Sequence, residues 1–370
     1  MVIRRFLHKS LVYINYLAVL AILIAYLSVY INPNDFSLFA LFGLGYSFIL
    51  VVNILFVFYW LYRKRKVVFI SLIAILIGWP HFLSFFTINL SSTEKPNEKY
   101  HKILSYNVRL FDLYDWTKNK GIKDKIFYFL EDELPDIICF QEYYSKHKNN
   151  SQSTGFKIKE QLDIGNSHIS FAKKGNREYN YGIATFSRFP IINRGIIEIN
   201  DVNNSCIFTD IKIHHDTVRV YNVHLESVHF GYQDYKFIDS IEHNLKNEKI
   251  KGLFNITNKL DKAYRKRAQQ VEIIYQHIRH SPYKVLVCGD FNDTPISYAY
   301  HRMTGELDDA FLNSGNGFGF TYFRKIFPFR IDYILCSPLI KTSVFETFSE
   351  DLSDHNPIST KFTLNPENKH

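Results

Sequence analysis

Three long runs without a charged side chain occupy the first hundred residues, and few soluble folds can absorb that much continuous apolar chain. The run 11–30 is interrupted only by Asn15 and Ser28. The run 37–60 has Asn53 inside it, and 67–90 carries His81 next to Pro80, where a kink is expected. Each meets the roughly 20 residues that a helix needs to cross a bilayer core. The sequence therefore predicts a membrane region over 1–90 with three transmembrane helices at about 11–30, 37–60 and 67–90. A cleaved signal peptide fits less well, because the first run is long and no small-x-small site precedes Asn32. Buried helices of a soluble domain are the competing reading, and three consecutive uncharged runs count against it.

Basic flanks give an orientation. Arg4, Arg5 and Lys9 precede the first run and RKRK (63–66) follows the second, whereas the loop INPND between them has no base. Positive-inside counting places the amino terminus and RKRK in the cytoplasm. Three spans would then put the rest on the periplasmic or extracellular side of a multi-pass inner-membrane protein. The charge also bears on partners. Of the net +8, residues 1–100 supply +6 from nine Lys/Arg and three acids, leaving only +2 on the remaining 270 residues. A near-neutral remainder lacks the broad basic footprint of a dedicated nucleic-acid binder.

After a polar linker at 91–101 come β-rich apolar segments: KILSYNV, DIICFQE, GIATFSR, DIKIHH, VRVYNVHL, KVLVCGD, RIDYILCS and ISTKFTL. Helical stretches lie between some of them, at 121–133 and over a longer polar region, 234–280. Many strands with interspersed helices and no strict alternation predict mixed sheets covered by helices. Cys139, Cys206, Cys288 and Cys336 each sit in an apolar segment without CxxC spacing. Zinc is thereby disfavoured, and the cysteines read as small core hydrophobes. The basic cluster KAYRKRAQQ reads as a solvated helix face before a phosphate-binding patch.

Chemistry gathers where strands end. Asn107 closes SYN, and Glu142 follows IICFQ. Asn222 and His224 sit in VYNVHLES, and Asp290 and Asn292 in VCGDFND. Asp332 lies in RIDYIL, and Asp354 and His355 in LSDHNPIS. Singly, each has a plain explanation as a surface carboxylate, a core histidine or a capped turn. As a set they supply oxygen ligands for a hard divalent cation and paired Asp–His groups for acid–base work on a phosphoester. Neither a P-loop nor a GxSxG elbow is present.

The ordered motifs SYNVRLF, QE, YGIATFSRFPI, NVHL, GDFND, RIDYIL and SDHNPI resemble the endonuclease/exonuclease/phosphatase superfamily, over about 102–364. That superfamily includes pancreatic-type DNases, apurinic endonucleases, inositol polyphosphate 5-phosphatases and bacterial sphingomyelinases. The resemblance implies an α+β fold of two mixed β-sheets packed as a sandwich with flanking helices, here over 102–366. It also implies a metal-dependent phosphoester hydrolase using in-line attack by water. Glu142 matches the principal ligand for Mg2+, with Mn2+ as the other ion to consider, and Asn107 and Asp354 contribute to the same metal environment. Asp290 matches the acid that positions or activates water, and Asn292 the amide on the scissile phosphate. His355 matches the phosphate-facing histidine with Asp332 orienting it, and His224 the second histidine of the DNase and sphingomyelinase branches. The division of base work between Asp290 and His355 stays open. The substrate could be a lipid headgroup, a nucleic acid or a small phosphoester, and no protein partner is indicated. The alternative is a non-catalytic membrane-tethered scaffold. Asp293 reads as a turn cap, and the aromatic segment FGFTYFRKIFPF as either packing or membrane contact.

Overall fold

The computed structural model describes residues 2–89, 99–117, 119–147, 151–174, 177–199, 206–231, 234, 237, 246–323 and 328–364. The chain divides into two compact units. One comprises Met1–Ser84, Glu226–Gln269 and Asp293–Arg302, the other Phe85–Leu225, Gln270–Asn292 and Met303–His370.

The second unit holds the strands. In chain order they are β1 Phe86–Ile88, β2 His101–Asn107, β3 Ile137–Tyr144, β4 Asn166–Lys174, β5 Arg177–Ser187, β6 Ile191–Ile196, β7 Cys206–Ile213 and β8 Asp216–His224. There follow β9 Lys284–Asp290, β10 Asp308–Asp309, β11 Asn316–Phe318, β12 Tyr322–Phe323, β13 Pro328–Phe329, β14 Asp332–Cys336, β15 Ile340–Thr347 and β16 Ile358–Leu364. All eight segments expected to be strands are strands. Two six-stranded sheets form, in the orders β15-β16-β2-β3-β5-β4 and β10-β14-β9-β8-β7-β6. Each is antiparallel except for one parallel pair near its middle, β2 with β3 and β8 with β9. Parallel neighbours end on the same side, so each central pair delivers its carboxyl-terminal residues to one edge of its sheet.

Alternation along the strands separates the layers. Ile103, Cys139, Val218, Val220, Leu286, Cys288 and Ile334 fill one core cluster drawn from both sheets. Leu104, Tyr106, Ile138 and Phe140 point the other way, against Ile122, Ile126 and Leu130 of the helix Ile122–Glu133 and Ile158 of the helix Thr154–Gln161. On the second sheet Tyr221 meets His277, near the end of the helix Lys246–Arg279, whose ring nitrogen lies 2.8 Å from the Tyr221 hydroxyl. The result is the helix–sheet–sheet–helix layering expected from the sequence. All four cysteines are buried and free, as their apolar settings implied.

His168 on β4 is also buried, with Nδ1 3.0 Å from Thr209 Oγ1. Burial, aided by Arg194, pulls it down to about 4 against a hydrogen bond with the backbone of Phe208. The folded protein then refuses a proton that the unfolded chain accepts below about 6.5. Stability should fall as the pH drops from 6.5 to 4, by up to about 3 kcal/mol from this group. His168→Gln should flatten that part of the profile in thermal unfolding of the purified chain. An unchanged acid slope would exclude His168 as its source.

The first unit differs from the three continuous spans expected. Its first helix, Val2–Leu27, contains 22 residues long and apolar enough to cross a membrane. The second run is broken at Gly45 into Leu38–Leu44 and Tyr46–Tyr62, bent by 64°. The third forms only the ten-residue helix Val68–Ile77, then a short helix Trp79–Leu83 with Pro80 in its first turn. Ten helical residues span about 15 Å, half a bilayer core. Pro80 starts a new helix here in place of kinking an old one, since its missing N–H costs nothing in a first turn. One helix therefore qualifies as a span, or two if the bent pair counts as one. The linker expected at 91–101 lies mostly outside the described residues.

Polar groups lie inside this unit. Asn15 donates to Ser71 Oγ (2.6 Å) and accepts from Trp60 Nε1 (2.7 Å), Ser71 donates to Asn53 Oδ1 (3.2 Å), and Asn53 donates to the Ala18 carbonyl. The basic cluster is also resolved into pairs. Arg265 bonds Asp261, Lys266 bonds Glu226, and buried Arg267 lies 3.3 Å from Asp293. Lys262, Lys266 and Gln269 lie on an exposed face as expected, whereas Arg267 is buried against Asp293. Asp293 also accepts from the Thr294 N–H, so its role is structural, and burial, opposed by Arg267, pushes it up to about 6.

Candidate active site

All nine residues singled out at strand ends and in the SDHNP loop fall in the second unit, and all but Asn222 join one polar network. Its hub is Asp290, 1% exposed at the end of β9. One carboxylate oxygen accepts from Asn107 Nδ2 at 3.1 Å and Asn292 Nδ2 at 3.2 Å, and the other from the Asn292 N–H at 2.7 Å. His224 Nε2 and His355 Nε2 each lie 3.7 Å from it. The strand register explains this convergence. His224 is paired with Asp290 across the parallel β8–β9 ladder, and Asp332 with Asp290 across the antiparallel β14–β9 ladder.

His355 and Asp332 form a tight dyad, with Nδ1 2.9 Å from Asp332 Oδ2. Burial alone would lower the histidine, but the adjacent carboxylates of Asp332 and Asp290 outweigh it and raise the imidazole to about 10. Asp290 itself is pushed up to about 6 by burial and by Asp332, against the pull of His355 and His224. The imidazolium of His355 is thus held between two carboxylates. Among the described residues His224 Nε2 is buried without a hydrogen-bond partner, 4.0 Å from Glu142 Oε1. An orphaned buried donor of this kind is costly unless a ligand meets it.

Glu142 owes its position to a bulge. The β3–β5 register shifts between Phe140 and Tyr143, and Glu142 adopts φ 50°. Left-handed backbone is costly for Glu, and strain of this sort collects at functional sites. Asn222, reaching over from β8, donates to the Phe140 carbonyl (3.1 Å) and the Ala184 carbonyl (3.0 Å) and accepts from Gln141 Nε2 (2.8 Å). It stitches one sheet to the other directly beneath the bulge. Asn222→Leu would leave those buried groups unsatisfied and should cost about 3 kcal/mol. The same change should release Glu142 and lower activity, measured on the folded fraction. A fully active, equally stable variant would remove Asn222 from this role.

Asp354 is tied in less directly. Ser353 donates to the Asn107 carbonyl at 2.8 Å, and Arg109 Nε sits 3.4 Å from Asp354 Oδ2. Arg109 is the residue that the sequence reading passed over, although it lies inside the quoted SYNVRLF. It opens four consecutive residues with positive φ, Arg109 to Asp112 at 43°, 54°, 55° and 55°. Phe111, buried against Phe127, Phe140 and Tyr143, anchors this left-handed turn. The guanidinium then lies over the Trp116 ring at 4.6 Å, beside the Asp354 carboxylate. Only tertiary packing makes four such residues affordable. The amide hydrogens of Asn292 are directed at Asp290 and the Leu225 carbonyl.

Two groups could be considered for a cation. Asp290, Asp332 and His355 place ligand atoms within 4.8 Å of one another, all buried. There the adjacent carboxylates favour the protonated, non-ligating form of His355. Glu142, Asn107 and Asp354, the ligands the sequence resemblance implies, carry oxygen donors of the kind a hard cation takes, and the two carboxylates are partly exposed.

Comparison with known proteins follows the same lines. Residues 104–355 match the model of the Endonuclease/Exonuclease/phosphatase family, and residues 8–85 match a domain of unknown function (DUF8431). No curated protein matches the chain in sequence. The chain is similar in fold to an endonuclease/exonuclease/phosphatase from Bacteroides vulgatus, with a TM-score of 0.53 and 18% identity over 72% of this chain and 100% of that one. It is likewise similar to a family protein from Leptotrichia buccalis C-1013-b, with a TM-score of 0.51 and 17% identity over 71% and 99% of the two chains. With the family match covering more than half its length, and with the sandwich and converging strand ends just described, the chain belongs to the endonuclease/exonuclease/phosphatase family.

Proposed function

We propose that the protein is a membrane-embedded, divalent-cation-dependent phosphoester hydrolase, with 102–366 as its catalytic region. The observation that carries this reading is the convergence of two histidines and two carboxamides on the single buried carboxylate of Asp290. Asp290 accepts a proton from, or orients, the attacking water. The Asp332–His355 dyad presents a cationic N–H to the phosphoryl oxygens as charge builds, and the unpartnered Nε2 of His224 donates to another. Asn292 can join by exchanging its bond to Leu225 for one to the phosphate. Glu142, Asp354 and Asn107 would hold the cation, Mg2+ or Mn2+, which when bound offsets negative charge on the phosphoester.

Membrane embedding is supported by the inverted polarity of the first unit. Only 22% of the span in the first helix is buried, unlike the core helix of a soluble protein. Leu17, Leu20, Val52, Leu55, Phe58, Ile73 and Leu76 are exposed while Asn15, Asn53 and Ser71 are enclosed. Orientation has support of its own. His8 meets Trp60 and Tyr26 meets Tyr46, so the first two runs are antiparallel, with Arg4, Arg5, Lys9 and RKRK at one end. Asn15 meets Ser71 and Tyr26 meets His81, so the third run returns to the other end. There Ser28 donates to the Ile296 carbonyl, and Arg265 donates to the Asn34 carbonyl. Gly43 makes room for this approach, since a Cβ would come within 2.3 Å of the Ile296 oxygen. Segments that follow His224 and Asn292 in the chain thus pack on the loop end, opposite the basic end. With the basic end cytoplasmic, the catalytic region faces the periplasm or cell exterior.

The purified full chain in detergent should hydrolyse bis-p-nitrophenyl phosphate. EDTA should abolish the reaction, and Mg2+ or Mn2+ should restore it. Turnover that survives EDTA would overturn the cation requirement, and no turnover with any cation would favour the scaffold alternative.

A further inference from the structure

The sequence reading left the aromatic segment before RIDYIL unassigned. β1 pairs with β11 through Phe86↔Phe318, Thr87↔Gly317 and Ile88↔Asn316. The Phe86 and Phe318 rings lie 4.9 Å apart, and Phe318 stacks on Phe320 at 5.2 Å with the planes 2° from parallel. Ile88, Phe318 and Phe323 are 65%, 53% and 51% exposed. This strip is built onto the catalytic loops. The Asn356 N–H donates to the Thr321 carbonyl (2.6 Å), the Phe323 N–H to the Asp354 carbonyl (3.2 Å), and Tyr322 bridges His355 with its ring 4.9 Å from the imidazole. Thr321 Oγ1 in turn accepts from the Ile331 and Asp332 N–H groups.

We infer that this aromatic strip contacts the interface of the bilayer that holds the first unit, and that the phosphoester reaching His355 belongs to a membrane phospholipid headgroup. The inference rests on the hydrolase reading above. Chain length argues for the bilayer as the occupant. Phe86 follows Leu83 by three residues, at most about 11 Å of backbone. Leu83 and Trp79 belong to the last apolar helix and are themselves exposed. A strand starting so soon after the apolar run, and locked to β11 by three residue pairs, cannot carry its aromatic strip far from the membrane surface. Phenylalanines beside such an exit suit the headgroup–acyl boundary. The near-neutral charge outside residues 1–100 argues against a nucleic-acid occupant.

The test uses the full chain in proteoliposomes of phosphatidylethanolamine and phosphatidylglycerol. An environment-sensitive fluorophore on Phe323→Cys should be quenched by doxyl-labelled lipid several-fold more than one on Tyr128→Cys, on the exposed side of the helix Ile122–Glu133. The four native cysteines are buried and spared from labelling. In a second arm, Ile88→Ser with Phe318→Ser, both exposed and away from the His355 loop, should lower release of phosphate esters from vesicle lipid at least tenfold, with bis-p-nitrophenyl phosphate turnover within twofold of wild type. Equal quenching at 323 and 128 would overturn the surface. Unaffected lipid turnover, or no lipid turnover by an enzyme active on bis-p-nitrophenyl phosphate, would overturn the substrate class. A wild type inactive on both esters would instead defeat the hydrolase reading, while the quenching arm still reports the contact.

Discussion

Asp290→Asn is expected to lower phosphoester turnover by about three to five orders of magnitude while leaving the protein as stable as wild type or more so. The two halves of this expectation share one cause. Asp290 is 1% exposed, and its burial already pushes the carboxyl up to about 6. Asparagine has the same shape and removes the buried charge, so the desolvation penalty disappears and offsets the N–H donors that its NH2 group must now face. It also removes the proton acceptor and one of the two carboxylates that keep His355 protonated. Thermal unfolding and turnover measured on one preparation check both halves. Activity within tenfold of wild type would remove Asp290 from the centre of the site. His355→Ala should be comparably inactive, without the gain in stability.

Gly289→Ala should be nearly as damaging, by a purely steric route. Gly289 has φ +146°, and a Cβ there would stand 1.8 Å from the Val223 carbonyl oxygen and 2.8 Å from its carbon. That oxygen belongs to the backbone of the paired strand, so no side chain can swing aside. Backbone strain and overpacking each cost about 1–3 kcal/mol, and here they act together. The parallel β8–β9 ladder must open at Val223↔Gly289, one residue from the His224↔Asp290 pair. Poor expression, or a folded protein with at least a hundredfold loss of turnover, is the expected outcome. A stable, fully active Gly289→Ala protein would show that the register beside Asp290 is not required. Asp293→Asn, three residues further on, should by contrast lose stability by uncovering Arg267.

The strand segments were legible because their apolar patterns are long and their ends are marked by turn residues. KVLVCGDFND is the clearest case: the buried strand, the glycine and the acids appear in order, and β9 ends at Asp290. The apolar first hundred residues were read less well. Hydropathy sees composition, and composition is continuous across Gly45 and Gly78, but helix geometry is not. The left-handed turn at Arg109 was invisible, because nothing local favours four non-glycine residues there. Only the burial of Phe111 makes it stable. Within the basic cluster at 265–267 only Arg267 departs from the solvated face, for a related reason: it looks like a surface residue until Asp293 arrives beside it.

By itself the sequence determined which residues are chemically equipped, the order of the strands that carry them, and that the first hundred residues are apolar. These follow from local rules of burial, turn formation and side-chain chemistry. Tertiary structure alone decided that Asp290, and not Glu142, is the hub, and that His355 lies between two carboxylates that favour its protonated form. It also fixed Arg109 beside Asp354 and Asn222 beneath the Glu142 bulge. Those outcomes depend on strand register, which pairs residues tens to hundreds of positions apart and turns separate polar side chains into one electrostatic unit. No local pattern encodes a field that arises only when the strands are laid side by side.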